Sequence, residues 1–99
     1  MPNKVFLATT GRSVARAVGD ASGVWSVAQL LQGKDVRSLA ADPLDANIVY
    51  AGTQGEGVLR SKDRGETWLP AGMAGQIVKS LAVSPHEPGV LYAGTKPAG

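Results

Sequence analysis

The chain has 99 residues and a net charge of +2, with 43% hydrophobic and 18% charged residues, 13 Gly, 6 Pro and no Cys. This length allows at most one ordinary domain. The apolar share excludes a disordered chain, and the lack of Cys excludes disulfides, thiolate zinc sites and thiol catalysis.

The charge is small and evenly spread, so nucleic acid is not an expected partner. No apolar run approaches the ~20 residues of a membrane helix, so no membrane partner is expected either. Met1-Pro2-Asn3-Lys4 is followed by only Val5-Phe6-Leu7-Ala8. That is too short for a signal peptide and favours the cytoplasm if Met1 is the true start.

In chain order, residues 5–9 read as a first strand. Between Val24 and Lys34, Val27, Leu30 and Leu31 stand at helical spacing, but Gly23 and Gly33 bracket a stretch too short for a helix. A strand followed by a connecting loop is the expectation. Segment 36–41 reads as a strand closed by Pro43, which cannot continue a ladder. Segment 48–53, Ile-Val-Tyr-Ala-Gly-Thr, is β-branched and aromatic, hence strand. Gly55 and Gly57 mark a turn, and 57–61 is a third short strand. Asp63-Arg64-Gly65 is a turn signal, and Thr67-Trp68-Leu69 opens a fourth strand that Pro70 and Gly72 are expected to end.

The chain also repeats itself. Residues 36–57 match residues 78–99 at 10 of 22 positions without a gap, at an offset of 42. Val36, Ser38, Leu39, Tyr50, Ala51, Gly52 and Thr53 recur as Val78, Ser80, Leu81, Tyr92, Ala93, Gly94 and Thr95. A weaker copy lies upstream: residues 5–17 match 49–61 at 5 of 13 positions at an offset of 44, with Phe6 opposite Tyr50. Asp20 and Trp25 then fall opposite Asp63 and Trp68 at an offset of 43, as a loop insertion would leave them. Four short antiparallel strands per unit of about 40–45 residues is the construction of a β-propeller blade.

Ser61-Lys62-Asp63-Arg64-Gly65-Glu66-Thr67-Trp68 fits Ser-x-Asp-x-Gly-x-Thr-Trp at every defined position. It resembles the Asp-box, or bacterial neuraminidase repeat. Each residue has a local physical role. The Asp63 carboxylate accepts turn amides, and the Ser61 and Thr67 hydroxyls add side-chain to backbone bonds. Gly65 supplies a positive φ, and Trp68 buries its ring while its indole N–H finds a partner. In the upstream copy only Asp20 and Trp25 survive, with Val18, Ser22 and Val24 in place of the Ser, Gly and Thr. That hairpin is expected to be held by other means.

Together with the strand pattern, the motif resembles the blades of a broad propeller superfamily. Its members include sialidase-like, sortilin-like, xyloglucanase-like and photosystem II assembly-factor-like proteins. The resemblance implies an all-β fold of four-stranded antiparallel blades, about two and a half in number. Residues 1–35 would form a partial first blade (strands two to four and a connecting loop). Residues 36–77 would form a complete blade with the Asp-box, and 78–99 the first half of the next. The chain is expected to be the N-terminal fragment of a longer propeller, or a short chain whose copies close the ring.

A resemblance to sialidases also implies three Arg, a Tyr–Glu pair and an Asp acid–base. Arg12, Arg16, Arg37, Arg60 and Arg64 lack the expected context, and the Phe/Tyr-Arg-Ile-Pro motif is absent. Tyr50 and Tyr92 recur at the repeat offset, as do Arg16 and Arg60, which points to packing and strand roles. The carboxylates a glycanase would need reduce to Asp42, Asp45, Asp63 and Glu66, and the first two sit in the Pro43 turn. His86, the only His, reads as a loop residue, and the loop 52–57 lacks the Lys-Ser/Thr of a phosphate loop. No catalytic residue, metal site or cofactor is assigned.

Arg37 and Lys79 occupy the same place on successive first strands. In a propeller that strand lines the channel, where basic side chains would attract an anion. The expected role is a binding or scaffold module with a glycan or protein ligand. The alternatives are the N-terminal part of a glycoside hydrolase, with catalytic residues outside this chain, and a protein assembly or sorting factor.

Overall fold

The computed structural model describes residues 4–9, 13–87 and 89–97. Arg12, one of the arginines weighed above, and the side chain of Phe6 lie outside the described residues. The described residues form nine strands and no helix: β1 Lys4–Thr9, β2 Val14–Gly19, β3 Trp25–Leu30, β4 Val36–Ala41, β5 Val49–Thr53, β6 Val58–Ser61, β7 Leu69–Gly72, β8 Gln76–Val83 and β9 Leu91–Pro97. The protein is all-β. Its antiparallel sheets have the strand orders β1-β2-β3, β4-β5-β6-β7 and β8-β9.

The sheets stack face to face, and strand alternation explains how. On β5, Ala51 joins Val14, Val36 and Leu59 in one core cluster, with Leu7, Leu39 and Trp68 against it. Its neighbour Tyr50 joins Val58 and Val78 in a second cluster, backed by Leu81, Leu91 and Ala93. Side chains two residues apart share a face and adjacent ones oppose. The middle sheet is thus covered by the first sheet on one side and the third on the other, and all five β5 residues are buried.

The 42-residue period is structural as well as sequential. Asp42 N donates to Ile48 O at 2.9 Å, and Ser84 N donates to Val90 O at 2.9 Å. Ile48 N donates to Asp45 O and Val90 N to Glu87 O. Arg37 and Lys79 are each the extra residue of a β-bulge, between Val36 and Ser38 and between Val78 and Ser80.

Two sequence expectations are corrected. Leu7 pairs with Arg16 as Tyr50 pairs with Arg60. Leu7, not Phe6, therefore takes the place of Tyr50, and it packs with Val14 as Tyr50 packs with Val58. The one-residue shift lies in the β1–β2 connection, where run-on apolar residues hide it. The fourth strand of the second sheet does not open at Thr67: β7 begins at Leu69, runs through Pro70 and ends at Gly72. Thr67 and Trp68 are bound into the turn, and β7 is an edge strand, where a Pro is tolerated.

Candidate functional site

The Asp-box residues converge on one hairpin between β6 and β7. Ser61, at the buried end of β6, donates its hydroxyl to Asp63 Oδ1 at 2.7 Å and accepts Gly65 N at 2.7 Å. Asp63 accepts Thr67 N at 2.8 Å and the Thr67 hydroxyl at 2.5 Å. Bonds from the Thr67 hydroxyl and amide, then from the Ser61 hydroxyl, lower the Asp63 pKa from 3.8 to about 2. Gly65 has φ +88°, and the Trp68 indole donates to its carbonyl at 2.8 Å. The Ser61 hydroxyl, the Asp63 carboxylate and the Gly65 carbonyl thus accept from within their own turn.

The same turn is wedged against the neighbouring sheet. A Cβ on Gly65 would stand 2.8 Å from Leu7 Cδ1 of β1. Arg16 of β2 donates its Nε to Arg64 O at 3.0 Å. Arg64 N reaches Asn47 O, and its Nε reaches Asn47 Oδ1 at 2.9 Å. These long-range contacts have no signature in the motif, so sequence reading misses them.

The upstream hairpin is closer to this design than its sequence suggests. Asp20 accepts Val24 N at 3.0 Å, the same bond to the amide four residues on that Asp63 makes. Ser22 supplies its amide and its hydroxyl, at 2.9 and 2.6 Å, in place of the Thr67 hydroxyl. Ser22 leads in lowering the Asp20 pKa. The ladder also runs on to Gly19↔Trp25. Trp25 lays its ring on Gly19, where an added Cβ would meet Cζ2 at 2.7 Å.

Three of the four carboxylates weighed for catalysis, Asp42, Asp45 and Asp63, are bound to turn amides. Asp42 is buried and accepts Leu44 N, and Asp45 accepts Asn47 N. Ser84, the repeat partner of Asp42, accepts His86 N and Glu87 N. Among the described residues no cluster of three or more His, Asp or Glu could hold a metal ion. Among the described residues no helix is long and apolar enough to cross a membrane. A recess of about 460 Å³ between the first and second sheets is lined by apolar side chains and Arg64.

Arg37 and Lys79 do come together. They line a cleft of about 310 Å³ between the second and third sheets, with Gln54, Ile77, Val78 and Lys96. The cleft lies at the Thr53 end of β5, opposite the Val49 end where the Asp-box hairpin begins. Backbone bonds tie the 54–56 loop that carries Gln54 to its neighbours: Gly55 N donates to Gln76 O, Gly75 N to Gly55 O and Gln54 N to Asp35 O. Arg37 pairs with Asp35, Nε to Oδ1 at 3.2 Å. Lys79 and Lys96 make no ion pair among the described residues. For Lys96 the one signal in the sequence is that it is the repeat partner of Gln54. No protein-family model matches the chain, and no curated protein matches it as a relative.

Proposed function

We propose that the chain is a segment of an Asp-box β-propeller, about two and a half blades long, with a binding or scaffold role. One observation carries the reading. The uncovered face of the third sheet repeats the positions with which the second sheet seats the third. The pairs Ala40↔Tyr50 and Ser38↔Gly52 recur as Ala82↔Tyr92 and Ser80↔Gly94. Tyr50 is 5% exposed beneath the third sheet, whereas Tyr92 is 61% exposed. Units that stack through one repeated pair of faces extend until they close, and four-stranded units closing around an axis form a propeller. The remaining units come from the same chain or from further copies of it, and the ligand is a glycan or a protein. A binding role is favoured over catalysis because Asp42, Asp45 and Asp63 all serve turn amides.

Extension of the repeat tests this. Gly57 and Gly99 are equivalent, so copies of residues 58–99 can be appended in phase. A propeller predicts a step to a compact, single-sized species of raised stability at one copy number, within about four to eight blades. Steady growth in length and stability, with no such number, would overturn the reading.

A further inference from the structure

We propose that the cleft of Arg37, Gln54, Lys79 and Lys96 is a binding site for an oxyanion, a carboxylate or phosphate group on a small ligand. It requires only the second and third sheets and does not depend on ring closure. Its walls are two equivalent pairs of the repeat, Arg37 with Gln54 and Lys79 with Lys96. Each bulge inserts one residue and re-aims its side chain, and both inserted residues are basic. The bulges thus leave Val36 and Val78 fully buried while Arg37 and Lys79 stay at the surface.

The charge arithmetic favours an anion. Asp35 offsets Arg37 and holds its guanidinium through two contacts at 3.2 Å. Lys34 and Glu56 pair with each other at 2.9 Å. Lys79 and Lys96, which make no ion pair among the described residues, remain uncompensated on one wall, and Gln54 adds an amide donor to the lining. Two ammonium groups and an amide around a small cleft supply point charges and donors, with no carboxylate left over to repel an anion. The volume is at the small end of ligand sites, which run roughly 300–1,000 Å³.

The test is amide NMR of the 99-residue chain titrated with inorganic phosphate and, separately, with citrate, at constant ionic strength. Saturable shifts at Arg37, Gln54, Lys79 and Lys96 are expected with at least one probe. The probe that saturates distinguishes a phosphate ligand from a carboxylate one. Lys79→Gln and Lys96→Gln should each weaken binding roughly fivefold, while Lys62→Gln on the distant hairpin leaves it unchanged. A dispersed wild-type spectrum of each variant confirms the fold. Shifts that fail to saturate with both probes would overturn the site. So would shifts that respond equally to Lys62→Gln, or cleft variants that bind like the wild type.

Discussion

The side chain of Val78 fills the space that a Cβ on Gly52 would need, with its Cγ1 2.7 Å from that position. Gly52 lies on β5 of the second sheet and Val78 on β8 of the third, so this contact sets how closely the two sheets approach. The equivalent Gly94 has the same local surroundings, with Ser80 Oγ 2.6 Å from its added Cβ, but no side chain from a further sheet.

Alanine at the two positions should therefore behave differently. Gly52→Ala forces the β8 side chain away and costs about 1–3 kcal/mol. Gly94→Ala displaces only a rotatable hydroxyl and costs less. Urea unfolding of both variants checks this, and equal losses would contradict the packing.

Tyr50 and Tyr92 make the same comparison with larger side chains. Tyr50→Ala empties a buried aromatic site between sheets and should cost about 3–5 kcal/mol. Tyr92→Ala in the dissociated chain should change stability by no more than about 0.5 kcal/mol. Thermal unfolding at low protein concentration reads both. The sequence assigns the two tyrosines one role because it shows the repeat. Which faces are covered depends on what stacks on them, and a single strand does not encode that.

Much of the fold is legible because the repeat fixes strand positions independently of propensity. Val36–Ala41 is a strand to the residue as read. The Asp-box is legible because its bonds are local, spanning at most four residues. The offset of β1 is not, since Val5, Phe6, Leu7 and Ala8 suit a strand in either register and only pairing with Arg16 decides. Nor is the Asp20 clamp, because a Ser at a different step replaces the Thr hydroxyl. The fit of Gly65 against Leu7 spans most of the first two sheets and leaves no local trace.

The Asp63 hairpin should loosen in acid. Its folded pKa of about 2 lies below the ordinary 3.8, so the ionised form stabilises the hairpin. That contribution is complete above about pH 4 and is lost as pH falls through about 2. A carboxyl-carbon NMR titration should place Asp63 near 2, with Asp20 also below the ordinary range. In Asp63→Asn the indole N–H signal of Trp68 should lose this acid transition. A wild-type midpoint near 3.8 would remove the clamp.

In the proposed propeller the outer face of the third sheet seats another unit of the same construction. Sedimentation of the wild-type chain beside Tyr92→Lys across a concentration series reads this contact. Concentration-dependent association of the wild type through that face is expected, abolished by a charge at Tyr92. A wild-type chain that remains monomeric throughout, or an association that Tyr92→Lys leaves intact, would contradict it.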